Sequence, residues 1–368
     1  MATVEEHYQE TITQHARQIL SFLRTFEALQ EQIHLGKINE HQEELVGKVG
    51  DLFPAINSET EKLEIPPNRD VFHKKWLEAL EHLEDAYTSF RTGSPHNFIV
   101  AYMQSRRVFS LGKYLLYDLR SELAPIQPYW LLADDLPRLA ELETPVEGSS
   151  VQTGVMHRPQ TNKHAEYSLY VPENYDPNQR WPLVVTLHGG HGRGDDYMLT
   201  WLRIAKSKGL ILLSPKSLGQ TWSIQQPGLD IRSILAILEE VMDEYAVNTS
   251  RILVSGLSDG GTFSYALGIS CPKLFVGIAP IAGVLLPRLD YKQATALPIL
   301  IVHGAKDFIF PVSSARMARD FLQGQEFESL TYTELPDWGH AYTYSINETL
   351  VLPWFEKLPD RLHAADNS

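Results

Sequence analysis

The sequence has a single cysteine, Cys271, in 368 residues. One thiol excludes an intramolecular disulfide framework. It precedes Pro272 and reads as a buried thiol. Basic residues are the next shortage: 32 Lys and Arg against 46 Asp and Glu leave a formal net charge of −14. Nucleic-acid binding needs a basic face that neutralises phosphates, so no nucleic-acid partner is expected. No run reaches the ~18 apolar residues of a membrane-spanning helix. The opening residues, Met1-Ala2-Thr3-Val4-Glu5-Glu6, are acidic and lack the apolar stretch of a signal peptide. A cytoplasmic protein without an integral membrane segment is the expectation. The glycosylation sequons Asn248-Thr249-Ser250 and Asn347-Glu348-Thr349 carry little weight in that setting.

What the N-terminal third does have is amphipathic helix. Tyr8, Ile12, Ile19, Phe22, Leu23, Phe26, Leu29 and Ile33 recur at three- and four-residue steps between polar residues. Gly36 is expected to end that helix. A weaker pattern runs from an Asn39 cap through Leu45, Val49 and Leu52 to Pro54. A third starts near Asp70 and carries Phe72, Trp76, Leu80, Leu83, Tyr87 and Phe90. A fourth has Ser94 as N-cap and Pro95 at its first position; it runs through Phe98, Tyr102, Phe109, Leu116 and Leu119 and stops at Pro125. Four such helices with short connections predict an all-α bundle. Their aromatic stripes read as core. His73, His82 and His96 lack Glu-x-x-His companions, so no di-metal site is expected. The bundle could cover a pocket, dock a partner or pair two copies of the chain; a homodimer through these helices is the partner expectation.

Pro125, Pro128, Pro137 and Pro145 then break any long element. Tyr129-Trp130-Leu131-Leu132 is an apolar knot between them, and Gly148-Ser149-Ser150 reads as a linker or turn. The expected organisation is a helical bundle at 1–125, a linker at 126–160 and a second domain at 161–368. That domain alternates strand and helix. Residues 165–172 alternate with period two and suit an outer strand. Short, β-branched, continuous runs at 182–187, 210–215, 252–254, 275–282 and 298–304 suit parallel strands buried on both faces. Helices are expected around 196–206, 229–245, 261–267 and 313–322, and another strand at 330–335. Ser345-Ile346-Asn347-Glu348 has the form of a capping box that opens a last helix, interrupted by Pro353. Such alternation implies a mostly parallel sheet covered on both faces, with its site at the carboxyl ends of the strands.

The candidate chemistry falls at those ends. Gly256-Leu257-Ser258-Asp259-Gly260 fits G-x-S-x-G, a sharp strand-to-helix turn that exposes a strained serine hydroxyl. An ordinary Gly-Ser turn is the competing reading. A serine needs a base to take its proton, and the base needs a carboxylate to orient it. Downstream, His303-Gly304-Ala305-Lys306-Asp307 puts Asp307 just past one buried strand, and Asp337-Trp338-Gly339-His340 puts His340 just past the last. Taken singly, Asp307 could be a helix-capping aspartate and His340 a surface-loop histidine. Their joint order, each after a strand, makes Ser258, Asp307 and His340 the expected triad. Asp337 is the rival acid. An oxyanion needs two N–H donors: Asp259, next to the serine, and Gly190, with Gly189 second, in the loop His188-Gly189-Gly190-His191-Gly192. A metal at His188 and His191 is not expected, because no third ligand has suitable spacing. Trp222, Trp338, Tyr342 and Ile309 are candidate substrate-binding residues by loop position, with plain packing at least as good a reading of each.

Residues 166–357 resemble a minimal, lidless α/β-hydrolase. The similarity is to the phospholipase/carboxylesterase family and to the polyhydroxybutyrate depolymerase–feruloyl esterase group. It is carried by Leu169-Tyr170-Val171-Pro172, Leu187-His188-Gly189-Gly190, Val254 through Gly261, His303 through Asp307, and Gly339-His340. It implies cofactor-free hydrolysis of a small-molecule carboxylic ester or thioester through an acyl-enzyme. The helical residues 1–125 have no counterpart in minimal members of these families. A serine peptidase of the same fold, or an interaction protein acting through its bundle, are the other readings.

Overall fold

The computed structural model describes residues 3–94, 96–148 and 150–361, and of Leu35 only the backbone. The chain divides into two compact units, Met1–Leu136 and Pro137–Ser368. The first is helical. Helix α1 (Val4–Gln32) opens on a capping box between Thr3 and Glu6 and closes before Gly36. The second expected helix is two: α2 (Ile38–Val49) and α3 (Leu52–Thr60). Asn39 therefore lies inside α2 rather than capping it, and Pro54 sits in the first turn of α3, where its missing N–H has no helical partner to lose. Helix α4 (Asp70–Thr92) follows the periodicity. Helix α5 (Phe98–Asp118) starts later than Ser94, with Asn97 in the N-cap position. The Asn97 side chain takes the Ser94 N–H at 2.7 Å and hydroxyl at 2.9 Å, which folds Ser94 into the preceding turn. Pro95 lies outside the described residues. The aromatic stripes pack on one another: Phe26 stands edge-on to Phe90 at 5.6 Å and against Phe109 at 4.7 Å.

The second unit is an eight-stranded sheet in the order β1-β2-β4-β3-β5-β6-β7-β8. Its strands are β1 (Gly154–Arg158), β2 (Tyr167–Val171), β3 (Trp181–Leu187), β4 (Ile211–Pro215), β5 (Val247–Leu257), β6 (Gly277–Ile281), β7 (Ile299–Gly304) and β8 (Leu330–Leu335). β1 and β2 are antiparallel; from β4 to β8 all pairs are parallel. Residues 126–160, read from sequence as linker, thus contain an edge strand and a short helix, α6 (Leu139–Glu143). β2 lies inside the edge and is buried along its whole length. The expected helix at 196–206 is two short ones, α7 (Gly194–Met198) and α8 (Leu202–Lys208). Helices α9 (Gly228–Glu244), α10 (Asp259–Ser270) and α11 (Val312–Gly324) connect the later strands. The last capping box does not form: Glu348 pairs instead with Arg203 at 2.9 Å, and a π-turn spans Asn347–Val351. Cys271 is half-buried. This strand order, with its antiparallel second strand and the serine at the end of the fifth, is that of an α/β-hydrolase. Among the described residues no helix is long and apolar enough to cross a membrane.

Candidate active site

β5 ends at Leu257 and α10 begins at Asp259, so Ser258 alone turns the chain. Its backbone sits at φ 61°, ψ −121°, a conformation that costs a non-glycine residue on the order of 1–3 kcal/mol. The turn is crowded. A Cβ at Gly256 would lie 2.4 Å from the Gly260 oxygen, and one at Gly260 would lie 2.1 Å from the Leu187 oxygen. Only glycine fits either place. The Ser258 N–H bonds the Ile281 carbonyl of β6 at 2.9 Å, which fixes the elbow to the neighbouring strand.

Parallel strands β7 and β8 deliver the other two groups. The Ala305 N–H bonds the Leu335 carbonyl at 2.9 Å, and the Lys306 N–H bonds the Trp338 carbonyl at 3.1 Å. The loops after the two strands are thereby joined, and Asp307 meets His340: His340 Nδ1 lies 2.7 Å from Asp307 Oδ2. An ionised carboxylate only accepts, so Nδ1–H donates and leaves Nε2 as the basic nitrogen. The other carboxylate oxygen, Oδ1, accepts the N–H groups of Ile309 and Phe310, each at 2.8 Å. The Phe310 ring stands edge-on to the His340 ring at 5.5 Å. Asp337 is placed differently. Its side chain is 90% exposed and pairs with Lys306 at 2.6 Å. Among the described residues, no hydrogen bond joins Ser258 Oγ to His340.

The loop after β3 faces the serine. A Cβ at Gly189 would sit 3.4 Å from Ser258 Cβ. The Gly189 carbonyl is turned away, toward His188 Nδ1 at 2.7 Å and the Gly192 N–H at 3.0 Å. His188 Nε2 accepts the Ser217 N–H at 3.1 Å, so the ring is neutral with its proton on Nδ1. Burial holds its pKa far below the ordinary histidine value, at about 3. Both ring nitrogens are thus used inside the protein, and among the described residues no group of His, Cys, Asp and Glu is arranged to hold a metal. The Asp259 side chain accepts from the Thr221 hydroxyl and lies beside Gly190.

The pocket candidates divide. Trp222 is 2% exposed and belongs to the core. It stacks on Phe263 and donates its indole N–H to the His188 carbonyl at 2.7 Å, so it supports the glycine loop from beneath instead of lining a pocket. Tyr342 is buried edge-on against Tyr197. Trp338 is half-buried beside the base. Ile309 is 49% exposed, next to the acid. Sequence reasoning missed Asp230, whose carboxylate takes the N–H groups of Leu218 at 2.8 Å and Ser223 at 2.7 Å and so shapes the loop that carries Thr221 and Trp222. It also missed His303, four residues before the acid, whose Nε2 lies 2.8 Å from the Phe310 carbonyl oxygen.

Comparison with known proteins shows what the chain is similar to. Residues 228–348 match the phospholipase/carboxylesterase family, a stretch that holds Ser258, Asp307 and His340 and stops short of the glycine loop. A probable feruloyl esterase C of Aspergillus niger is 29% identical over 153 residues, 40% of this chain and 56% of that protein. A bifunctional acetylxylan esterase/xylanase of Neocallimastix patriciarum is 31% identical over 146 residues, 38% of this chain and 21% of its own length. The chain therefore spans about half the length of the feruloyl esterases it matches. Among solved structures, a thermostable esterase aligns with a TM-score of 0.46 at 23% identity over 55% of this chain and 62% of its own. A ferulic acid esterase of Anaeromyces mucronatus, in complex with ferulic acid, aligns at 0.43 and 17% identity over 57% and 94%.

Proposed function

We propose that this chain, an α/β-hydrolase of the esterase kind, hydrolyses carboxylic esters through an acyl-enzyme on Ser258. The observation that carries the reading is the strained serine at the end of β5 in one sheet with the His340–Asp307 pair at the ends of β8 and β7. In this mechanism Ser258 Oγ attacks the ester carbonyl and His340 Nε2 takes its proton. Asp307 holds the ring in the tautomer that leaves Nε2 free and stabilises the imidazolium as it forms. The N–H groups of Asp259 and of Gly190 or Gly189 receive the oxyanion, the first of them an unpaired amide at a helix start. His340 then protonates the leaving alcohol, and water repeats the sequence on the acyl-enzyme. The relatives' names put feruloyl and acetyl esters first among substrates.

A fluorophosphonate probe tests the nucleophile directly. It is expected to label the wild type and not Ser258→Ala. The wild type is then expected to hydrolyse p-nitrophenyl acetate and methyl ferulate in preference to aminoacyl p-nitroanilides. Equal labelling of both proteins, or labelling of neither, would overturn the assignment; faster cleavage of the anilides would make the protein a peptidase.

A further inference from the structure

Asp307 lies between two imidazoles, and the proposed mechanism uses one of them. The second is His303, near the end of β7 and 0% exposed. Its Nε2 is 2.8 Å from the Phe310 carbonyl oxygen and 3.4 Å from Asp307 Oδ2. A carbonyl only accepts, so the proton is on Nε2. The other nitrogen, Nδ1, is buried and meets no hydrogen-bond partner among the described residues. Protonating it would bury a second N–H with no acceptor. Burial accordingly pushes the His303 pKa below the ordinary value, against the pull of Asp307 and of Glu334 on β8 and together with the push of His340.

A buried nitrogen without a partner is destabilising, and a leucine or phenylalanine would fill the space without that cost. The Nε2–H bond is what histidine offers in exchange. It closes the turn Asp307–Phe310 from the far side. Asp307 Oδ1 holds the N–H groups of Ile309 and Phe310, and His303 holds the Phe310 carbonyl. That one turn sets both surfaces that touch the base: the carboxylate at Nδ1 and the edge-on Phe310 ring.

We infer that His303 is a positioning residue for the acid–base pair, which its Nε2–H bond to the Phe310 carbonyl holds in register with His340. The inference rests on the triad reading and deepens it. Three full-length proteins test it: wild type, His303→Phe, which keeps a ring but no donor, and His303→Gln, which keeps an N–H donor. The readouts are kcat and KM on p-nitrophenyl acetate and the downfield proton resonance of the His340 Nδ1–H bond. In the Phe protein kcat is expected to fall about tenfold with KM unchanged within about twofold, as displacement of a catalytic group predicts, and the resonance to broaden or vanish. The Gln protein is expected to keep the resonance and at least about a third of kcat. A folded Phe protein with wild-type kcat and resonance overturns the inference. So does a Gln protein as impaired as the Phe protein, since shape and not the donor would then matter. The ring nitrogen shifts of His303 in the wild type test the same claim without a variant: a neutral ring protonated on Nε2 is expected at pH 7, and a proton on Nδ1 overturns it. If the wild type is neither labelled by fluorophosphonate nor active, the triad reading falls, and the resonance and the ring nitrogens alone decide the role of His303.

Discussion

Two aspartates lie close to His340, and their surroundings separate them. Asp307 spends one oxygen on two backbone N–H groups and the other on the imidazole; Asp337 is in water with Lys306. Replacing Asp307 by Asn puts an amide where an acceptor must be, and the ring loses the tautomer that frees Nε2. We expect Asp307→Asn to lower kcat by about 10⁴-fold, and Asp337→Asn to leave it within about twofold, because an exposed ion pair contributes little. Initial rates on p-nitrophenyl acetate distinguish the two. At this scale the pairing of Asp307 with His340 was legible, because each follows an apolar run and, after Ser258, they stand in the chain order of the α/β-hydrolase resemblance. The sequence was not legible where a side chain's direction decides. Trp222 sits on a loop near the serine, and nothing in the letters says that its indole turns inward to His188. His303 reads as the last polar residue of a strand until the turn after it brings the Phe310 carbonyl back.

At the scale of elements, the parallel strands announced themselves. Runs such as Leu183 to Val185 and Ile299 to Val302 are apolar throughout because helices cover both faces of the sheet. β1 did not, since an edge strand of mixed burial, Gly154–Arg158, has no continuous run to display. Helix starts failed for a related reason. Ser94-Pro95 has the form of a start, but a competing side chain three residues on, Asn97, claims the Ser94 hydroxyl. The loop from Ser217 to Ser223 is the element with the most consequence for the site. Its geometry hangs on Asp230, 1% exposed, at the start of α9. Asp230→Ala leaves the Leu218 and Ser223 N–H groups without their acceptor and is expected to cost about 1–3 kcal/mol in urea unfolding. It should also lower kcat more than it raises KM, because Thr221 and Trp222, which brace Asp259 and His188, move with the loop.

For the whole molecule, histidine burial sets the response to acid. His188 and His303 in the second unit, and His41 and His73 in the first, all have pKa values lowered chiefly by burial. In the unfolded chain each takes a proton near pH 6.5. The folded chain refuses it until lower pH, down to about 3 for His188. Between those values the unfolded state holds more protons, so stability is present above about pH 6.5 and drains away as pH falls. One such group contributes a slope of up to about 1.4 kcal/mol per pH unit. We expect urea midpoints to decline from pH 7 to pH 5, and His188→Asn to remove about one proton's worth of that decline. A slope unchanged by the substitution would show that His188 is protonated in the fold. The strand order has another consequence, for synthesis. β3 carries the glycine loop, and its partner β5 carries the serine, but β4 and α9 are translated between them. A nascent chain that has released β3 and β4 presents one apolar, unpaired edge of β3 to solvent and to other nascent chains until Leu257 has emerged. Slow translation across α9 prolongs that interval, and chaperones that shield strand edges are the natural remedy.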